Sequence, residues 1–291
     1  MKVDLVMWTK NGERTLPWVL NRINQVIPNE VISKRFIVDD HSIDHTCEIA
    51  DLFGWKVIFN EGTGISDGAN TALKNVESEF FCSFEQDLLL SRRWWNAIPK
   101  RHEDSNIAVC CGMRFADRPI PLMKLQKYVA LKYRGEKYLS SYLKSRELSA
   151  FTLGKTLDNT IYLTKVIREV GGFPKIGTNA GVDTALAYRL EKRGFEWVVD
   201  YNVHSVHLRK DLGQELEHQF WHGQQQRNMW SGIKKYTGVT VPVNFNSIVS
   251  RLFIAPFTGL FVAWKMHDAR IVIVHPLVRF YYAWGFLKGE N

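Results

Sequence analysis

The sequence predicts an α/β fold in which a mostly parallel sheet is flanked by helices. Three observations predict it. Through the first 112 residues, short apolar runs alternate with stretches of helical spacing. The runs are continuously apolar, the mark of strands covered on both faces. Three of them end in polar clusters, Thr9-Lys10-Asn11, Asp39-Asp40 and Glu85-Gln86-Asp87. A parallel sheet gathers such ends on its carboxyl edge, where ligands of α/β proteins bind.

The elements follow in order. Val3–Trp8 is a strand, and Thr15–Val26 carries Leu16, Val19, Leu20 and Ile23 at helical spacing. Arg35–Val38 is a second strand and Asp44–Phe53 a helix stopped by Gly54. Trp55–Phe59 is a third strand, Ser66–Val76 a helix and Phe80–Phe84 a fourth strand. Between Phe115 and Ser149, Lys and Arg alternate with Leu, Met, Val and Tyr, the pattern of basic amphipathic helices facing a membrane or a partner. The α/β rhythm returns with a strand at Thr160–Leu163, a short helix at Thr164–Val170 and a break at Gly171-Gly172-Phe173-Pro174. A helix over Val182–Lys192, stopped by Gly194, precedes a strand over Phe195–Val199. Gln214–Arg227, polar and aromatic, reads as a lid segment.

The tail holds two apolar runs, Leu252–Trp264 and Ile271–Leu287, both interrupted by Pro. A spanning helix needs about 20 apolar residues with few charges, and neither run meets that. Phe280, Tyr281, Tyr282, Trp284 and Phe286 beside Arg279 and Lys288 suit helices lying in a membrane interface.

Composition bounds the function. Apolar residues make up 45% and charged residues 23% of the 291, enough for a sizeable core and unlike a disordered chain. The net charge of +8 favours anionic partners. Nucleic acid is not expected, because no binding motif is present and the aromatics form no stacking platform. Cys47, Cys82, Cys110 and Cys111 show no C-x-x-C spacing, which points to a reducing compartment. Met1-Lys2-Val3-Asp4 runs straight into a strand, so no signal peptide is expected.

The motifs resemble a known family. V-D-L-V-M-W-T-K-N-G-E-R-T-L at the start, F-I-V-D-D-H-S-I-D-H-T at 36–46, N-E-G-T-G-I-S-D-G-A-N-T-A-L at 60–73, G-G-F-P at 171–174 and G-V-D-T-A-L-A-Y-R-L at 181–190 are similar to the motifs of family 2 glycosyltransferases with the GT-A fold. Glu85-Gln86-Asp87 stands where that family has its D-x-D. The resemblance covers roughly residues 3–112 and 155–230. It implies an inverting glycosyltransferase that uses a nucleotide-diphosphate sugar, UDP- or GDP-linked, with Mn²⁺ or Mg²⁺ as cofactor. A hard divalent cation takes carboxylate oxygens and keeps positions open for phosphate.

Residue roles follow from the resemblance. Thr9, Asn11, Glu13, Gly64, Asn70, Glu85 and Gln86 are assigned to the donor pocket, with Asp39 at the base or ribose. Asp40, Ser42 and Asp44 order the turn or cap the next helix. Asp87 and Glu85 are the expected metal ligands, and a His after the 195–199 strand, His207 ahead of His204, completes the shell. Asp183 is the expected base for the acceptor hydroxyl. Arg227 is expected at the diphosphate. Three departures stand out: Glu85 replaces the first Asp of D-x-D, Val182 and Ala185 replace two acids of G-E-D-x-D, and Asn228 stands where the processive Q-x-x-R-W has Trp.

The expected organisation is a GT-A domain over 1–235, with an acceptor- or membrane-facing insertion at 115–150, and an apolar helical membrane-associating region over 236–291. The expected acceptor is a glycan or a lipid-linked hydroxyl. The expected location is the cytoplasmic, inner face of a membrane, held peripherally. The alternative function is a non-catalytic module binding nucleotide sugars or a membrane surface on the same scaffold.

Overall fold

The computed structural model describes residues 1–103, 106–116, 154–208, 211–238 and 245–289. The basic stretch expected to form amphipathic helices between 117 and 150 lies outside the described residues. The described residues divide into two compact units. One holds 1–103, 106–114, 154–175 and 182–208; the other holds 115–116, 176–181, 211–238 and 245–289.

The first unit is built on an eight-stranded sheet. Its N-terminal half alternates β1 (Val3–Thr9), α1 (Leu16–Val26), β2 (Ile32–Asp39), α2 (Thr46–Leu52), β3 (Lys56–Phe59), α3 (Gly64–Asn75) and β4 (Phe80–Phe84). A two-residue strand β5 (Leu88–Leu89), a short helix α4 (Trp94–Ala97), a 3₁₀ turn (Pro99–Glu103) and β6 (Ile107–Ala116) follow. After residue 153 come β7 (Thr160–Leu163), α5 (Thr164–Glu169), α6 (Val182–Lys192) and β8 (Glu196–His207). Strand order is β3-β2-β1-β4-β7-β6-β8-β5. β1 pairs parallel with β2 and β4, and β2 with β3. β7 joins β4 and β6 antiparallel, and β5 joins β8 antiparallel.

All seven residues of β1 are buried, as a continuously apolar run under helices on both faces requires. Leu16, Val19, Leu20 and Ile23 of α1 pack on it in one core with Ile37, Trp55, Phe84, Trp94 and Ile161. Burying such side chains contributes about 2 kcal/mol each. Asp4, inside β1, is buried yet satisfied, accepting from the Glu77 and Ser78 amides at 2.7 and 3.0 Å.

Several boundaries differ from the sequence reading. α3 starts at Gly64, two residues early, because φ = +76° at Gly64 makes the entry turn. The strand expected over 195–199 runs on to His207. Its polar stretch hides the continuation: Asp200 is buried but held by Arg101, at 2.7 Å.

The second unit is helical: α7 (Leu212–Thr237), α8 (Phe245–Met266) and α9 (Ile271–Leu287). Residues 214–227, expected as a lid, lie within α7, whose N-cap Asp211 accepts from the Gln214 amide at 2.9 Å. α7 and α9 approach to backbone contact at two glycines. A Cβ on Gly285 would clash with the Phe220 carbonyl oxygen, and one on Gly223 with that of Tyr282. α8 is continuous through Pro256 and Gly259, where the sequence suggests an interruption. Among the described residues, no helix is long and apolar enough to cross a membrane.

Candidate active site

Strand register assembles the site. β4 ends at Phe84, so Glu85, Gln86 and Asp87 project from the carboxyl edge of the sheet. β5 follows at once and pairs Leu88 with His207, while the Leu208 amide donates to the Asp87 carbonyl at 2.8 Å. A histidine 122 residues downstream is thereby set against Glu85. β7 runs antiparallel to β4, with Ser83 opposite Thr160. Asp158, just ahead of β7, comes close enough to Glu85 for their charges to interact. β6 pairs with β7 and delivers Arg114 to the same place.

The resulting cluster is dense in charge. His207 Nε2 lies 3.1 Å from Glu85 Oε2, 3.4 Å from Asp87 Oδ1 and 3.9 Å from Asp158 Oδ2. Arg114 Nη1 lies 2.5 Å from Asp158 Oδ2 and 3.4 Å from Glu85 Oε2. Burial opposes a charged imidazole at His207, but its hydrogen bonds to Asp87 and Glu85 outweigh that and push the pKa up to about 9. Burial also opposes charge on Glu85, yet the bond to His207 and the Arg114 charge hold its carboxyl below the usual range. Asp158 is wholly buried, which raises its pKa, and its Oδ1 has no hydrogen-bond partner among the described residues.

The donor set suits a divalent cation. One ligand atom each from Glu85, Asp87 and His207 fall within 4.8 Å of one another. Two carboxylates and an imidazole match the preferences of Mn²⁺ and, less strongly, Mg²⁺. Both acids are half-buried, so one side of the cluster stays open to a ligand. Glu85 is one methylene longer than the Asp expected there, and Arg114 and His207 meet its carboxylate at that reach.

Asp183 opens α6 in the same unit, half-buried. Its carboxylate accepts from the Thr184 amide at 2.7 Å. Burial raises its pKa, partly offset by that bond and by the positive charge of Arg114. A carboxyl with a raised pKa is a better proton acceptor near neutrality.

The structure gives specific partners to most of the other expected residues. Asp39 is wholly buried; it accepts from the Ser42 amide at 2.8 Å, the Ser42 hydroxyl at 2.5 Å and Thr9 Oγ1 at 3.3 Å. Asp40 bridges outward, accepting from Asn60 Nδ2 at 2.9 Å and the Gly64 amide at 3.3 Å. The turn-ordering role expected of Asp40 is thus shared with Asp39. Asn11, at φ = +49°, accepts from the Ile43 amide at 3.0 Å, and Glu13 Oε2 meets His45 Nδ1 at 2.8 Å. Gln86 clips the end of β1, bonding the Lys10 amide and carbonyl, each at 2.9 Å. Asn70 ties α3 to the G-G-F-P break through the Phe173 carbonyl and amide, at 2.8 and 2.9 Å. His204 bonds the Tyr201 carbonyl at 2.7 Å and is not in the cluster. Arg227 belongs to α7 in the second unit, and its side chain lies outside the described residues.

The family model described as "Glycosyl transferase family 2" matches residues 4–171, more than half of the chain. The chain belongs to glycosyl transferase family 2. A search of curated proteins returns no match to the sequence. Among solved structures, the chain is similar to glucosyl-3-phosphoglycerate synthase from Mycobacterium tuberculosis in complex with Mn²⁺, UDP and glucosyl-3-phosphoglycerate. That likeness has 14% identity and a TM-score of 0.59, covering 83% of this chain and 81% of that one. It is also similar to the mannosyltransferase PcManGT from Pyrobaculum calidifontis in complex with GDP-Man and Mn²⁺, at 16% identity and a TM-score of 0.57, covering 94% of this chain and 74% of that one. At these identities the likeness shows the fold. Within the family 2 glycosyltransferase fold, Arg114 and Asp158 are the two cluster residues the sequence reading missed. The available signal was Asp158-Asn159, a polar pair immediately ahead of a strand, where the other three clusters follow theirs.

Proposed function

We propose that this glycosyltransferase moves a sugar from a nucleotide-diphosphate donor, UDP- or GDP-linked, to an acceptor hydroxyl, with inversion at the anomeric carbon. The observation that carries this reading is the Glu85–Asp87–His207 cluster at the carboxyl edge of a family 2 sheet, with Asp183 in the same unit. Glu85, Asp87 and His207 would hold Mn²⁺ or Mg²⁺, which when bound supplies Lewis-acid neutralisation of the departing diphosphate. Arg114 adds a fixed positive charge beside the same edge, held by Asp158. The acceptor oxygen attacks the anomeric carbon on the face opposite the diphosphate. The new C–O bond forms as the bond to the diphosphate oxygen breaks, and the hydroxyl proton passes to the Asp183 carboxylate.

A base is needed for a neutral hydroxyl and superfluous for an acceptor that is already a phosphate anion. Asp183, with its raised pKa, therefore favours a hydroxyl on a glycan or on a lipid-linked acceptor met at a membrane surface. Calorimetric titration of UDP, GDP and their sugar conjugates with Mn²⁺, Mg²⁺ or EDTA tests the donor site. Metal-dependent binding of one nucleotide by the wild type, lost in Asp87→Ala, is expected. No binding of any nucleotide would overturn the reading.

A further inference from the structure

We infer that the α8–α9 hairpin is a docking face for an anionic lipid bilayer, seated in the interface and not across it. Of the large apolar side chains the described residues leave exposed, most lie on these two helices. On α8 they are Phe253, Ile254, Phe257, Leu260, Phe261 and Trp264, whose spacing of three and four places them on one side. Phe253 is 73%, Phe257 72% and Trp264 66% exposed. The opposite side of α8 is buried through Ala255, Val262 and Ala263. Val262 and Ala263 pack in one cluster with Ile271, Val274 and Val278 of α9. α9 repeats the arrangement, exposing Ile273, Phe280, Trp284 and Leu287 while burying Val274, Val278, Ala283 and Phe286.

One-sidedness decides against a span. A helix crossing lipid is apolar where it faces the acyl chains along its whole length. Here the margin of the stripe carries a polar pair, exposed Thr258 Oγ1 and buried His275 Nε2 at 2.9 Å, and Pro256 and Pro276 each remove one backbone donor from the continuous helices. A long helix with one aromatic apolar stripe and cations beside it lies in the headgroup plane. The aromatics are the type that settles there, with a flat apolar ring and, for Trp, a polar edge.

Charge selects the occupant. Neither α8 nor α9 contains an Asp or Glu. The acid between them, Asp268, is engaged by Arg270 at 2.8 Å. Lys265 Nζ sits 4.8 Å from the Trp264 ring centre, at the end of the α8 stripe, and Arg279 on α9 and Lys288 just past its end are exposed. A second copy of this chain would present the same cations to each other with no acid on either helix to meet them. Anionic headgroups complement them. The inference deepens the transferase reading by naming the surface at which a lipid-linked acceptor is met. Its test reads lipid binding without sugar transfer, so either reading can fail alone.

The experiment is flotation of the full-length chain with phosphatidylcholine vesicles, with and without phosphatidylserine, at low and high salt. Wild type is expected to float with the phosphatidylserine vesicles and to be partly released by salt. Phe253→Ser/Phe257→Ser/Trp264→Ser, all at exposed positions, is expected to lower partitioning about tenfold or more. Its Mn²⁺ affinity should stay unchanged, which reports that the first unit is folded. Lys265→Glu/Lys288→Glu is expected to remove the preference for phosphatidylserine. Wild type that does not float overturns the inference, as does a triple variant that floats equally well. A wild type dimeric by light scattering and converted to monomer by the triple substitution would assign the face to a second copy and overturn it as well.

Discussion

Metal binding at the cluster should expel a proton from His207. His207 Nε2 faces Glu85 Oε2 at 3.1 Å and Asp87 Oδ1 at 3.4 Å, so a proton on that nitrogen and an ion held by these three groups would compete for the same lone pair. Glu85, Asp87 and Asp158 supply three negative charges, against which Arg114 and a protonated His207 set two. A divalent ion replacing one proton brings the cluster to neutrality. With the His207 pKa near 9, the unprotonated fraction at pH 7 is about one in a hundred, so apparent Mn²⁺ affinity there is about 100-fold below its limit. Affinity should rise about tenfold per pH unit from 7 to 9 and then level off. Calorimetry in buffers of different ionisation enthalpy should show about one proton released per ion at pH 7. His207→Gln should abolish both the slope and the release. The sign is opposite for the metal-free protein. There the raised His207 pKa contributes stability that is fully present below about pH 6.5 and is lost as pH rises through 9. Mn²⁺ binding that is independent of pH and releases no proton would refute the reasoning and remove His207 from the ligand set.

Four further outcomes are expected. Asp183→Asn should reduce kcat by about 10²- to 10⁴-fold with donor affinity unchanged, and the wild-type rate should fall on acidification through the raised Asp183 pKa; steady-state kinetics over a pH series checks both. Asp158→Ala leaves Arg114 without its 2.5 Å partner and should cost about 3–5 kcal/mol in urea unfolding. Gly285→Ala sets a methyl group against the Phe220 carbonyl oxygen, and overpacking of about 1–3 kcal/mol should lower the melting temperature of the helical unit. Burial and the nearby Arg279 charge lower the His275 pKa to about 4, so His275 folds neutral. Protonation then favours the unfolded chain. Stability from this group is present above about pH 6.5 and drains as pH falls towards 4, and His275→Gln should flatten that acid loss in thermal melts.

Sequence and structure divide the account along a physical line. The elements of the N-terminal half were legible, because a doubly covered strand must be continuously apolar and an amphipathic helix must repeat near 3.6 residues. β1, α1 and β4 show this, the last ending at Phe84 as its pattern indicates. Glu85 and Asp87 were legible because two acids at the tip of a buried strand have no packing reason to be there. The family was legible because its motifs are local in sequence. His207 was expected as a ligand from the resemblance, but its place came from the β5–β8 register, a pairing between residues far apart in the chain. Arg114 carried no local signature and Asp158 only a polar pair ahead of a strand; the antiparallel insertion of β7 between β4 and β6 brings them to Glu85. In the tail, composition alone shows apolar, aromatic and basic helices. Which side of each is buried and which is left to solvent is decided by packing of α9 between α7 and α8, through contacts as close as that of Gly285 with the Phe220 backbone. Periodicity is a property of a segment and can be read from it. Register and the choice of buried face depend on what another segment offers, and only the assembled chain settles them.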